Sequence, residues 1–345
     1  MLRVVLDAMG SDHAPRPEVE GALCAARDLG IAVTLVGPEA VLREHLRRVG
    51  GSGEALLEIV HAAEVIAPDE PVAHALRKKR HSTIHVGLRL VQEGRGHAFV
   101  SAGNTGAIMA AAKMIMKTLG PIDRPALAAV LPTFTGGKAV LIDVGANAEC
   151  RPLHLLQFAI MGDIYARLIL GIASPRIGLV SIGEEEAKGN ELTREAHKYL
   201  EHSGLNFVGN IEGQNIYMGD VDVIVCDGFT GNVILKTSEG VFDLLRAGLR
   251  QELQRTLRTR LGAWLARPAF DRFRRRFDYF ESGGAPLLGV RYVCVICHGR
   301  SDSRAIKNAI RLAQELVERR ALDRIEREIR TIQEAEVRER VETGG

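Results

Sequence analysis

The sequence predicts an α/β fold, a mostly parallel sheet with helices on both faces. Three observations carry that expectation. Short β-branched apolar runs alternate with helix-length segments along the chain. The runs are apolar at nearly every position, as in strands covered on both sides. Most of them end in a small or polar turn, where ligands collect in such folds. With 345 residues, 46% hydrophobic and 26% charged, the chain can bury a large core. Disorder, collagen-like structure and a disulfide-stapled miniprotein are excluded. Lys+Arg 45 against Asp+Glu 43 leaves +2, so overall charge favours no nucleic-acid partner.

In chain order, strands are expected at residues 4–7, 32–37, 57–61, 98–102, 139–143, 177–182, 206–209, 222–226 and 292–297. Helices are expected at residues 17–29, 39–49, 72–93, 106–119 and 152–170, and an exposed Glu/Arg helix from Ala321. No fixed-period repeat and no Pro- or Ser-rich linker divides the chain. Residues 1–345 should form a single catalytic α/β unit of one or two lobes, with 246–280 inserted as a helical hairpin. No membrane span is expected, because the longest run without Lys, Arg, Asp or Glu covers 17 residues, 96–112, and holds a GNTG turn. Asp7 stands where a signal peptide needs its apolar core, and the five Cys read as reduced thiols. The expected compartment is the cytoplasm.

The turns that follow the strands carry the chemistry. Asp7 leads to Gly10-Ser11-Asp12-His13, Ser101 to Gly103-Asn104-Thr105-Gly106, and Asp143 to Gly145-Ala146-Asn147. Ile182 leads to Gly183-Glu184-Glu185-Glu186, Asp227 to Gly228-Phe229-Thr230-Gly231-Asn232, and the last strand to His298-Gly299. Six such strand ends imply one shared cleft. The turns at 101–106 and 227–232 each open a helix, whose free N–H groups suit a phosphate. A merely capped turn is the alternative for the first. The second is not a Walker A loop, because Leu235 rather than Gly precedes Lys236-Thr237. The acidic turn at 183–190 sets Lys188 and Asn190 among carboxylates, and with no histidine at ligand spacing nearby no metal is expected there. Cys294-Val-Ile-Cys297-His298 matches a haem-attachment pattern but lies inside a strand, so its thiols should be buried apolar groups.

Six blocks resemble one family: DAMGSDHAP at 7–15, VSAGNTGAIMA at 100–110, IDVGANAEC at 142–150, IGEEEAKGNEL at 182–192, DGFTGNVILKTSEG at 227–240 and GGAPLLGV at 283–290. It is the bacterial phosphate acyltransferases, the acyl-[acyl-carrier-protein]:phosphate transacylases of phospholipid synthesis. Ser11 stands where the family usually has Gly, Ala187 where it often has Gly, and residues 291–294 depart from its usual small or Pro-containing stretch. The resemblance implies reversible formation of acyl phosphate from acyl-carrier protein and inorganic phosphate. It implies a homodimer, an isocitrate-dehydrogenase-like or phosphotransacetylase-like fold, and a membrane glycerol-3-phosphate acyltransferase that consumes the product. No cofactor is expected.

A phosphate oxygen would attack a thioester carbonyl and expel a thiolate. With a second pKa of about 6, phosphate is already largely ionised at neutral pH, so positioning and oxyanion stabilisation matter more than a strong base. The candidates for phosphate are Asn104, Thr105, Gly106, Asn190, Thr230, Gly231 and Asn232. Lys188, Lys236 and His298 are candidate electrostatic or proton-transfer groups, oriented by Asp7 and Asp227. Two rivals are a nicotinamide-dependent decarboxylating dehydrogenase and a non-enzymatic membrane or nucleic-acid binding module.

Residues 246–276 carry ten Arg against Glu252 and Asp271, a local +8, and 246–280 hold six of the chain's 16 aromatics. Leucines recur every four residues from Leu245 to Leu265, and Pro268 should break the helix. Trp264, Phe270 and Phe273 beside Arg274, Arg275 and Arg276 suit contact with anionic lipid at the inner face of the membrane, or with the acidic surface of carrier protein. A dimer-packing hairpin is the plain alternative.

Overall fold

The structure is a computed structural model that describes residues 1–276 and 283–342, with side chains for all of these except 271, 274–276 and 333–342. Among the described residues, eleven strands join one sheet. They are β1 (Arg3–Asp7), β2 (Ala32–Gly37), β3 (Leu57–His61), β4 (Ala98–Ser101), β5 (Ala126–Pro132), β6 (Lys138–Ile142), β7 (Ile177–Val180), β8 (Phe207–Ile211), β9 (Val223–Val225), β10 (Ala285–Leu288) and β11 (Val293–Ile296). Their order is β3-β2-β1-β4-β11-β10-β5-β6-β9-β7-β8. The helices are α1 (Arg16–Leu29), α2 (Glu39–Arg48), α3 (Val72–Lys78), α4 (Thr83–Gln92), α5 (Thr105–Ile115), α6 (Pro152–Tyr165), α7 (Glu191–Glu201), α8 (Gly228–Gln254), α9 (Leu257–Leu265), α10 (Arg267–Arg276), α11 (Ser303–Glu318) and α12 (Ala321–Glu342).

All nine expected strands are present, and the two that were not expected decide the topology. β5 reads ALAAVLP and β10 reads APLL, with no β-branched residue except one Val and a proline in each. β10 pairs antiparallel with β11 and β5, and β5 pairs antiparallel with β6. The other pairings are parallel. Consequently β6, β9, β7 and β8 run opposite to β1, β2, β3, β4 and β11. Their carboxyl ends emerge on the other rim of the sheet. The single cleft expected from six strand ends is therefore divided between two rims: Asp7, Ser101 and His298 on the first, Asp143, Asp227 and the 183–190 turn on the second.

Successive side chains of each strand face opposite layers. Val100 lies in one apolar layer, with Val19, Phe158, Tyr165 and Ile306, whereas Phe99 lies in the other, with Ile84, Leu88, Ile108 and Leu235. The sheet thus lies between α1, α6, α11 and α12 on one face and α4, α5 and the start of α8 on the other. Residues 152–170 are long and apolar enough to cross a bilayer but are 72% buried inside the fold. Their charges meet internally, with Arg167 2.6 Å from Asp163.

Three helix boundaries differ from expectation. The helix expected over 72–93 divides because Ser82 caps a new start, its Oγ accepting the His85 N–H. Residue Gly228 opens a helix of 27 residues, so α8 runs on into the segment that begins at Arg246. The break expected at Pro268 falls at Ala266, and Pro268 sits in the first turn of α10, where a missing N–H costs nothing. The leucine stripe is also interrupted, because Thr256 caps α9 by accepting the Thr259 N–H. Phe277, Tyr279 and Phe280 lie outside the described residues, as do the side chains of Arg274, Arg275 and Arg276.

Candidate functional site

On the first rim three loops interlock around the start of α5. β4 lies between β1 and β11, so the chain entering α5 is flanked by the loops that leave both neighbours. Asp7, buried at the end of β1, accepts the Ser101 hydroxyl at 2.7 Å and the Met9 N–H at 3.1 Å. Burial pushes its carboxyl above the usual range, against the pull of hydrogen bonds from Ser101, Thr83 and Met9. The Asp12 N–H donates to Gly299 O at 2.8 Å. A Cβ at Gly10 would stand 2.6 Å from Gly103 N, so only glycine lets these two backbones meet.

Asn104 caps α5. Its Oδ1 accepts the Ala107 N–H at 3.0 Å, and its Nδ2 points to the carbonyls of Ala67, Pro68 and Glu70. Both ends of the amide, expected to contact phosphate, are thus engaged within the fold and fix the turn that opens α5. Thr105 and Gly106, the first two residues of the helix, donate no backbone hydrogen bond to a described residue. These two N–H groups remain for an external anion.

His298 follows β11, one strand spacing from the chain that enters α5. Its Nδ1 accepts the Arg300 N–H at 3.1 Å, so the neutral ring carries its proton on Nε2. Burial, and then the positive charge of Lys236, lower its pKa below the ordinary histidine value. Both effects favour the neutral form of the ring. Lys236 reaches this rim because α8 starts on the opposite rim and crosses the sheet, rising about 12 Å from Gly228. It is paired with Glu239 at 2.8 Å. The second oxygen of that carboxylate, Oε1, is buried without a hydrogen-bond partner.

On the second rim Asp143 and Asp227 are hydrogen-bonded within the fold. Asp143 accepts the N–H groups of Leu127, Gly145, Ala146 and Asn147 and the Asn147 side-chain amide, at 2.7–3.2 Å. Asp227 accepts both the N–H and the hydroxyl of Thr230, at 2.9 and 2.8 Å. The Gly231 N–H goes to Asp227 O and the Gly228 N–H to Asn147 O. A Cβ on Gly231 would run into Asp143 O. Thr230, expected to hold phosphate, donates here to the Asp227 carboxylate, and the Gly231 N–H goes to the Asp227 backbone carbonyl. Asn232 is exposed beside Gly145. Asn190 caps α7, its Oδ1 accepting the Thr193 N–H at 2.9 Å, and Lys188 is exposed. Neither shares a rim with His298.

The sequence marked Asp7 and His298 as candidates and Asp143 only as the end of a strand, before the N–H-rich Gly145-Ala146-Asn147 turn. It did not mark Thr83 or Glu239, which no local pattern distinguishes. Cys294 and Cys297 are buried thiols pushed up to about 12, inert as expected.

Residues 2–324 match the family model described as fatty acid synthesis protein. The phosphate acyltransferase of Acidobacterium capsulatum is 53% identical over 312 residues, covering 90% of this chain and 92% of its own. That of Heliobacterium modesticaldum is 50% identical over 328 residues, covering 95% and 98%. The chain belongs to the phosphate acyltransferase family. Among solved structures, a phosphotransacetylase from Streptococcus pyogenes superposes with a TM-score of 0.60 at 19% identity, over 92% of this chain and 94% of that one. A branched-chain phosphotransacylase from Enterococcus faecalis V583 gives 0.58 at 15%, over 92% and 99%. The phosphotransacetylase-like fold expected from the sequence is the one observed. Membership of a family of acyltransferases sets aside the dehydrogenase and the non-enzymatic binding module.

Proposed function

We propose that the protein transfers a fatty acyl group from the thioester of acyl-carrier protein to inorganic phosphate at the first rim. The acyl phosphate formed would serve phospholipid synthesis. The observation that carries this is the unfilled start of α5, with the Thr105 and Gly106 N–H groups set one strand from His298. Phosphate, held by these donors and the charge of Lys236, attacks the thioester carbonyl. Neutral His298 donates its Nε2–H to the developing oxyanion, as a hydrogen-bond donor rather than a charged acid. The carbon–sulfur bond then breaks, and the thiolate takes up the proton that phosphate gives up. Incubation with acyl-carrier protein and phosphate should yield an acyl phosphate trapped by hydroxylamine, with neither ATP nor NAD present. Absolute dependence on a nucleotide overturns the proposal.

We further propose that the segment from Arg246 meets anionic lipid reversibly at the inner face of the membrane, from a homodimer in the cytoplasm. There it would hand its labile product to a membrane glycerol-3-phosphate acyltransferase. Supporting this, Leu244, Leu257, Trp264, Leu265 and Phe273 are all more than half exposed, between exposed Arg246, Arg250, Arg258 and Arg260. Co-sedimentation with vesicles should require anionic lipid, weaken with salt, and fall when Trp264 and Phe273 become Ser. Unchanged sedimentation assigns the segment to carrier protein or to dimer packing.

A further inference from the structure

We propose that Glu186, His197 and Glu201 form a binding site for one divalent cation of the first transition row, with Zn2+ as its best match. The bound ion would fasten the 183–190 turn to α7. One potential ligand atom from each of the three residues lies within 4.8 Å of the others. His197 and Glu201 stand four residues apart on α7, hence on one face, and Glu186 approaches from the turn that precedes the helix.

The histidine is prepared for this role. His197 is only 8% exposed, and its Nδ1 lies 3.0 Å from Asn210 Oδ1. The orientation of that amide is fixed by its other end, since Asn210 Nδ2 donates to Glu185 O at 3.0 Å. The oxygen facing the ring can only accept, so Nδ1 carries the proton and Nε2 keeps its lone pair. Nε2 makes no hydrogen bond to a described residue. The ring is held edge-on to Phe207, with centroids 5.0 Å apart. An imidazole whose second nitrogen is tied to an amide or carbonyl oxygen is the usual support of a metal-ligating histidine.

The charges also ask for a cation. Two exposed carboxylates face one another across this point, and nearby Lys198 is already paired with Glu195 at 2.8 Å. One imidazole and two carboxylates suit Zn2+ better than Mg2+ or Ca2+, which take oxygen ligands. Zinc bonds of about 2.0–2.2 Å would draw tetrahedral ligand atoms to roughly 3.3 Å apart, with water in the fourth position. Two exposed glutamates can make that movement while the buried ring stays in place. Lys188 lies two residues beyond Glu186, so the ion would steady its backbone.

The site can be tested without acyl transfer. Full-length protein stripped with EDTA should take up one Zn2+ per chain in calorimetric titration and gain about 2–5 °C in Tm at saturation. Glu186→Gln and Glu201→Gln, both at exposed positions, should each weaken binding tenfold or more. Glu191→Gln, exposed on the first turn of the same helix and outside the site, should leave it unchanged. Mg2+ should not compete at equal concentration. Absence of zinc uptake, uptake that survives the double glutamine variant, or equal affinity for Mg2+ would overturn the site. Because the readout is binding and melting, its failure leaves the proposal for acyl transfer standing.

Discussion

At residue 104 the cap of a helix is an amide, and at residue 227 it is a carboxylate. Both turns follow a strand, both are rich in Gly, Asn and Thr, and both open a helix whose first N–H groups lack intrahelical partners. At the second rim Asp227 takes the Thr230 N–H and Asn147 O the Gly228 N–H, while Asp143 takes the N–H groups of the 145–147 turn. At the first rim the neutral Asn104 holds the turn in shape and leaves Thr105 and Gly106 unfilled. The first rim has acids too, but Asp7 and Glu18 lie buried behind the loop and bond to Ser101 and to the Ser11 N–H. A glycine-rich turn is therefore an anion seat only when the protein has not supplied the anion itself.

The strongest test of that contrast is His298→Ala. Loss of one oxyanion donor should cut kcat about 100- to 1,000-fold. His298→Gln, which keeps a donor, should recover part of it while melting stays as in the parent. Equal loss in both variants would move the oxyanion hole away from this ring.

A smaller effect follows from Glu18, whose carboxyl is raised from 4.5 to about 7 by burial, with the charge of Asp7 adding to the rise. A carboxyl raised on folding stabilises fully below its unfolded value and loses that contribution as pH climbs through the folded one. The difference is worth roughly 3 kcal/mol, lost between about pH 4.5 and 7. Glu18→Gln still offers an oxygen to the Ser11 N–H. It should flatten the pH dependence of the denaturation midpoint and be the more stable form near pH 8. A parent chain equally stable at about pH 5 and 8 would show that Glu18 is ionised throughout.

The smallest effect, and the sharpest separation of the two rims, comes from Asn104→Ala set against Thr230→Ala. Loss of the Asn104 cap should lower stability by about 1 kcal/mol and raise the phosphate KM about tenfold. Thr230→Ala should lower stability to a similar degree and leave the phosphate KM unchanged. A raised KM in the Thr230 variant would return phosphate to the second rim.

Much of the fold was legible because buried parallel strands are continuous apolar runs, as VVL at residues 4–6 and AVTLV at 32–36 are. The two unexpected strands were hidden by composition. ALAAVLP and APLL hold their places through burial between neighbours rather than through intrinsic preference. Missing them concealed the reversal of the sheet, and with it the division of one cleft into two rims. The site was legible in the same uneven way. Asp7, Thr105 and His298 stand directly after strands, where position alone marks them, whereas the roles of Asn104 and Thr230 depended on which partners the fold supplied. His197 stands eleven residues beyond Glu186 in the chain, so no spacing pattern links them, and only the packing of the turn on α7 brings their ligand atoms together.

By itself the sequence determined the α/β class, the strand-end turns and the family, because hydrophobic period and local turn chemistry are properties of neighbouring residues. Tertiary structure decided which turn leaves N–H groups open at its helix start and which gives its donors to the protein's own acids. A hydrogen-bond donor is filled or left open by groups that the chain brings from far away, and a local pattern carries no record of them.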